Sequence, residues 1–299
     1  MSKAGLLTIC FCVWVSLCAA GPKQYPAEGI VIEIDKKALS VVISCEPIPG
    51  YMDAMEMSFK VHDPMVLNGL TAGATVHFTM VEDGPQVFAE HIRIVKNVSD
   101  EAEPMEAARL GFLRRALDPN VAATAVQAGQ VVPDFALTDQ RHHSVHLSQF
   151  RGKVVALTFA YSRCPNPNYC FRLSNNLAQL QRRFSAQHAD DLRLVTIVID
   201  PANDQGAALE RYAQTWKADP EKWHFLTGPL DEVRAVARLF GMDFWSDEGF
   251  LTHLFRTAVI DRDGRLVANL EGNQATAKQV GDLVESVLRS NPNTGTGPQ

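Results

Sequence analysis

Between residues 28 and 96 short apolar stretches recur at close intervals. GIVIEID, LSVVIS, MEMSFKV, TVHFTMVE and VFAEHIRIV are separated by Lys36-Lys37, NGLTAG and EDGPQ. Runs of this length, rich in β-branched and aromatic residues and bounded by turn formers, predict five β-strands. Five short strands in about 70 residues predict a small closed or partly closed all-β barrel of the OB-like kind. Residues 97–127 are acidic and then alanine-rich, without sustained alternation, and predict a linker carrying one short helix.

From residue 128 the periodicity changes. DFALTDQRHHSVHL predicts a hairpin, and KVVALTFAY is a continuous apolar run suited to a strand buried on both faces. A helix over about 169–186 follows, then the strand LRLVTIVID, a helix over GAALERYAQTWK, the strand WHFLTG and a helix over LDEVRAVARLFG. The hairpin FRTAVIDRDGRLVANLE turns at Asp263-Gly264, and the helix TAKQVGDLVESVLRS closes the domain at about residue 290. A sheet flanked by helices, closing with a hairpin and a last helix, predicts an α/β thioredoxin-like domain over 128–290. The tail 291–299, NPNTGTGPQ, has the composition of a disordered segment.

Composition narrows the classes. Hydrophobic residues make up 46% of the 299 and charged residues 21%, as in a globular protein. A formal charge of -6 without a basic stripe argues against nucleic acid as a partner. Lys3, an apolar run from Leu6 to Leu17 and the small residues Cys18, Ala19 and Ala20 predict an export signal over 1–20. The run is short for a bilayer span, which needs about 20 apolar residues. An uncleaved signal, or lipidation at Cys18, would instead leave the protein membrane-associated. Export removes three of the six cysteines and leaves Cys45, Cys164 and Cys170. An odd number of thiols in an oxidising compartment is not a disulfide framework, so chemistry is favoured over stapling.

The sequence CPNPNYC, residues 164–170, follows the apolar strand directly. A strand delivering cysteines to the start of a helix places them in positive potential that favours thiolate. Thiolates serve metal binding and disulfide exchange alike, so location does not decide between them. Three observations favour metal. Five intervening residues replace the two of a thioredoxin-type C-x-x-C. The stretch GFLTHLFRTAVI lacks the proline that thioredoxin-like reductases carry before the penultimate strand, and has His253 near that place. Two thiolates with an imidazole also form a donor set suited to copper in either oxidation state.

Residues 128–290 resemble the Sco/SenC family of thioredoxin-like copper chaperones for cytochrome oxidase. GQVVPDFALTD, VVALTFAYSRCPNPNYC, VIDPANDQGAAL and HLFRTAVIDRDG carry the resemblance. It implies Cys164, Cys170 and His253 as copper ligands. Most members space the cysteines three residues apart; the wider spacing here looks like that of a subgroup of bacterial Sco-like proteins. The family's acidic motif is matched by Asp200-Pro201 and Asp204. For Asp204, support of the metal site and a helix N-cap are equally open readings.

SCEPIPGYMDAMEMSFK, in the barrel, places four sulfurs within thirteen residues. Met55 and Met57 are two apart and so share one face of a strand. Thioethers select monovalent copper. Residues 29–95 resemble the small periplasmic copper-binding barrels of the CusF type, carried by Pro47-Ile48-Pro49-Gly50, Met52, Ala54, Met55 and Met57. The resemblance implies Met55 and Met57 as ligands, with Cys45 in place of the family's histidine. Tyr51 or Met52 stands in the stretch where the family has a tryptophan over the metal.

Together these resemblances imply an exported, periplasmic metallochaperone with two copper sites. It would deliver copper to a cytochrome oxidase subunit or another periplasmic copper protein, and is more readily read as a non-enzymatic chaperone than as an enzyme. A flexible linker would let the barrel load the second domain. The competing readings are a thiol-disulfide oxidoreductase acting on oxidase cysteines and a copper-resistance protein that sequesters the ion.

Overall fold

The computed structural model of the chain describes residues 22–95, 125–164, 167–247 and 250–290. The expected signal segment, most of the expected linker and the expected C-terminal tail lie outside the described residues. Five strands form the N-terminal unit: β1 (Lys23–Asp35), β2 (Ser40–Cys45), β3 (Met55–Lys60), β4 (Thr75–Asp83) and β5 (Gln86–Ile94). They close into a barrel in the order β1-β2-β3-β5-β4, completed by a single parallel pairing of Lys60 with Phe88. β1 is longer than the sequence pattern predicts, because residues 23–28 pair with β4 beyond the end of β2.

Alternation assigns the two faces of the barrel wall. Val31, Val41, Ile43, Cys45, Phe59, Val76, Phe78 and Met80 fill the interior. Ile30 and Ile32, one residue either side of Val31, point outward and are nonetheless buried.

The second unit opens with the hairpin β6 (Ala136–Thr138) and β7 (Ser144–His146). Its sheet runs β10-β9-β8-β13-β14, with β8 (Val154–Ala160), β9 (Leu192–Val198), β10 (Trp223–Leu226), β13 (Arg256–Ile260) and β14 (Leu266–Glu271). β8, β9 and β10 are parallel, and β13 joins β8 antiparallel. Every residue of β8 is buried, as its unbroken apolar run requires. The helices are α1 (Arg172–Arg183), α2 (Ala207–Thr215), α3 (Leu230–Leu239) and α4 (Ala277–Arg289). α4 buries Val280, Leu283, Val284, Val287 and Leu288, one stripe at helical spacing. Its start is fixed by a capping box between Thr276 and Gln279. A second hairpin, β11 (Phe244–Asp247) with β12 (Phe250–His253), was not evident in the sequence pattern. Among the described residues no helix is long and apolar enough to cross a membrane.

The barrel packs directly on the second unit. Ile30 and Ile32 belong to the same apolar cluster as the α/β sheet, with Val42 and Ala72 against it. Full burial of two such isoleucines contributes about 2 kcal/mol each. Ser44 Oγ, fully buried, donates to Asp282 Oδ2 at 2.6 Å, across 238 residues of sequence. Lys278 Nζ and Arg183 Nη2 also donate to Asp282, at 2.6 and 2.9 Å. Gly73 approaches β14 so closely that a Cβ there would lie 2.6 Å from the Ala268 Cβ. Contact along this face differs from the freely tethered arrangement that the linker's composition predicts.

Candidate metal centres

β8 ends at Ala160, and the backbone leads through Tyr161, Ser162 and Arg163 to Cys164. The second cysteine, Cys170, lies in a wide π-type turn, Pro167–Phe171, that precedes α1. Cys164 is half-buried and Cys170 is buried; neither is joined in a disulfide, nor is Cys45. Cys164 shares a hydrogen bond with Cys170, and this, with burial and the neighbouring thiol charge, pushes the Cys170 thiol well above its ordinary value. The thiolate-favouring helix start predicted from the sequence is therefore outweighed here. Cys170 is buried in the apolar cluster, and the charge it could carry is opposed by its partner.

His253 closes the site from the far side. It is the last residue of β12, buried, with its ring edge-on to Tyr161 and to Phe255, centroids 6.1 and 4.7 Å away. Its Nδ1 is 2.8 Å from the Leu254 carbonyl, which can only accept, so Nδ1 carries the proton. Nε2 is left as a lone-pair donor, and it lies 3.4 Å from Cys170 Sγ. Burial pushes the imidazole down to about 4, so the ring is neutral at physiological pH. A neutral ring with Nδ1 anchored on a carbonyl is the arrangement that metal-binding histidines use.

Three further side chains, Tyr161, Asp204 and Asp200, hold this loop. Tyr161 Oη donates to the Leu251 carbonyl at 2.9 Å, tying the end of β8 to the strand that carries His253. Asp204 Oδ2 accepts from Ser162 N at 2.8 Å, and Asp204 Oδ1 accepts from Ser162 Oγ. Arg163 Nη2 pairs with Asp200 Oδ2 at 2.8 Å. Asp204 is not an N-cap: α2 begins after Gly206, whose φ of 54° suits glycine, with no side-chain cap. The acidic pair instead grips the two residues immediately before Cys164.

Among the described residues, no three His, Cys, Asp or Glu side chains already surround a common point. The contact between Cys170 and His253 is formed, and Cys164 is hydrogen-bonded to Cys170. The donor set itself, two thiols and an imidazole lone pair, fits a soft ion once the thiol protons leave.

In the barrel, β2 and β3 pair Val41 with Phe59, Ile43 with Met57 and Cys45 with Met55. Directly opposed residues share a face, so both methionines lie on the interior row with Cys45. Exposure rises along that row, from none at Phe59 through half-buried Met57 to 46% at Met55, which marks the barrel mouth. Cys45 is 1% exposed, donates its thiol to the Ile43 carbonyl, and is pushed up to about 12 by burial. The segment between the strands folds over the mouth through reciprocal backbone bonds between Ile48 and Met52, 2.9 and 3.0 Å. Tyr51 stacks on Tyr25 and donates to Glu82, whereas Met52 packs on the apolar cluster that contains Cys45. Of the two residues in the stretch where the family has a tryptophan, Met52 is thus the one that packs on the barrel's apolar interior.

His142, His143 and His146 are exposed around the β6–β7 turn, and Met242 is fully buried in the core.

Comparison with known proteins follows the same division. Residues 24–93 match the family model described as copper binding periplasmic protein CusF. Over 97 residues the chain is 27% identical to the SCO1 protein homolog of Bacillus subtilis, covering 32% of this chain and 49% of that protein. Over 165 residues it is 28% identical to the mouse mitochondrial protein SCO2 homolog, covering 52% of this chain and 60% of the relative. The chain thus spans about half to three-fifths of the length of these relatives. Among solved structures, yeast Sco1 with copper bound aligns at a TM-score of 0.48 and 24% identity, covering 57% of this chain and 95% of that one. Arabidopsis thaliana ScoI with copper bound aligns at 0.47 and 20%, covering 54% and 100%. The SCO1/SenC family model matches residues 123–288, more than half of the chain, and the chain belongs to that family, with a CusF-like barrel at its N-terminal side.

Proposed function

We propose that this is an exported copper chaperone with two sites for its cargo. One site is formed by Cys164, Cys170 and His253, the other by Cys45, Met55 and Met57. The observation that carries the reading is the contact between His253 Nε2 and Cys170 Sγ, with Nδ1 held on the Leu254 carbonyl. A dithiol reductant has no use for a buried imidazole lone pair aimed at its second sulfur. Copper as cargo is supported by the soft donors of both sites and by the copper-bound state of the solved Sco relatives. An assembling cytochrome oxidase subunit is the acceptor this reading favours, and the periplasm the compartment, in keeping with the signal-like N-terminus and the CusF description.

Each exchange step moves the ion between donor sets, thiolate for thiolate, without releasing it. At the second site, binding displaces the protons of Cys164 and Cys170, and His253 contributes a lone pair without losing a proton. The hydrogen bond between Cys164 and Cys170 also supports a second reading, thiol-disulfide exchange on the acceptor.

Copper stoichiometry under reducing conditions tests the proposal. The mature protein should hold two Cu(I) ions. Cys164→Ser and His253→Ala should each weaken the second site, while Met55→Leu with Met57→Leu should remove only the barrel ion. Copper at the second domain that is indifferent to both Cys164→Ser and His253→Ala refutes the chaperone reading there.

A further inference from the structure

The barrel's docking face brings the flanks of the two donor sets together. Glu46, directly after Cys45, accepts from the Gln279 side chain and lies within the electrostatic reach of Arg172, two residues beyond Cys170. Cys45 itself lies within that of Lys278. Gln279 Nε2 also donates to the Ser44 carbonyl at 3.4 Å. On the second unit, Arg172 and Asn176 donate to the carbonyls of Gln274 and Ala275 at 2.7 and 2.8 Å. These bonds pin the segment before α4 to the first turns of α1. The end of β2, the start of α4 and the start of α1 therefore meet. Further along the same face Glu56 pairs with Arg289 at 3.5 Å, so the barrel is held at both ends of α4.

We propose that the barrel is a docked donor: the interface of β1 and β2 with α4 holds Glu46, the residue directly after Cys45, beside the start of α1, so that Cu(I) passes from the barrel to Cys164 and Cys170 within one chain. The inference rests on the functional reading above and names the surface that makes transfer efficient. The step involves no electron transfer. Cu(I) leaves the Cys45 thiolate and the two thioethers and joins the thiolates of Cys164 and Cys170. Cys45 takes up one proton and the receiving pair gives up two, so one proton is released to solvent. Fixed orientation is worth more than tethering alone: a flexible linker supplies effective concentrations near the mM range, whereas aligned partners reach far higher values.

The test uses the full-length mature chain charged with one equivalent of Cu(I). Arrival at the second domain is followed as protection of half-buried Cys164 from alkylation, since Cys45 and Cys170 are buried. Ala72→Glu sets a charge against the neighbouring core from a turn that carries no ligand, and Ile32→Glu does so from β1. Both variants should still bind two Cu(I), and both should protect Cys164 at least tenfold more slowly than the wild type. The wild-type rate should be independent of protein concentration. Unchanged or faster protection in the variants, with both sites loaded, overturns the docked donor and leaves the copper reading standing. A wild-type rate proportional to protein concentration overturns transfer within the chain. A wild-type chain that takes no copper at the barrel overturns the two-site function itself, and this inference with it.

Discussion

Asp282 is the residue on which the two units are tied, and its removal has a calculable effect. Its side chain is 5% exposed and accepts from Ser44 Oγ, Lys278 Nζ and Arg183 Nη2. The Ser44 bond is a fully buried hydrogen bond to a charged acceptor, worth about 1.5–3 kcal/mol. Arg183 and Lys278 have side chains 33% and 40% exposed, so water screens them and each pair adds about 0–1 kcal/mol. Asp282→Ala should therefore cost about 2–4 kcal/mol, and Asp282→Asn, which keeps an acceptor for Ser44, about half of that. Burial alone would raise this carboxyl. The hydrogen bonds from Lys278, Ser44 and Arg183 outweigh it and hold the group below its ordinary 3.8. A depressed carboxyl contributes stability above its unfolded value and loses it as pH falls through the folded one. The wild type should thus lose this contribution below about pH 4, while Asp282→Asn lacks that component and should show a shallower acid profile over the same range. Urea unfolding followed at β2 and at α4 by hydrogen exchange measures both effects. A loss under about 0.5 kcal/mol for Asp282→Ala, or parallel acid profiles for wild type and Asp282→Asn, would refute the assignment of Asp282 as the tie.

Two further outcomes follow from the second site. Tyr161→Phe removes the bond to the Leu251 carbonyl, at a cost of about 1 kcal/mol. Cu(I) stoichiometry should be retained while the spectrum of the Cu(II) form shifts, because the β12 hairpin no longer holds His253 in place; an unaltered spectrum contradicts this role. Asp204→Ala leaves the Ser162 amide and hydroxyl without their acceptor beside a fully buried position, and should cost about 2–3 kcal/mol in thermal or urea unfolding. A loss confined to copper affinity, with stability unchanged, would contradict that reading.

Much of the architecture is legible in residue periodicity, because each strand and helix faces its own core. KVVALTFAY announces a strand buried on both faces, and Met55 and Met57 fall on one face by counting alone, whereas Cys45 joins them through the resemblance and, in the structure, through the pairing of β2 with β3. Two features escape such counting. The β11–β12 hairpin pairs Phe244–Asp247 with Phe250–His253, and the neighbours Phe244 and Trp245 are both buried, so no alternation marks the strand. Its consequence is large, since it carries His253. Ser44 and Asp282 are 238 residues apart, and neither carries a local signal of the other. A clue to the docking did exist in the consecutive Ile30, Val31 and Ile32: a barrel wall exposed to water on its outer side would alternate. For Asp204 the sequence leaves a helix cap and support of the metal site equally open, and only the geometry, which sets its carboxylate on Ser162, removes the cap.

The doubly buried wall of β1 and β2 bears on how separable the two halves of the chain are. Cut free, the barrel would present Ile30 and Ile32 of β1 and Val42 of β2 to water as an apolar strip. Such a strip invites self-association. Excision should therefore require polar replacements at 30, 32 and 42, and a barrel that lives alone should already carry them. Those three positions offer a way to tell, from a gene alone, whether a barrel of this kind has settled into permanent partnership with its neighbour.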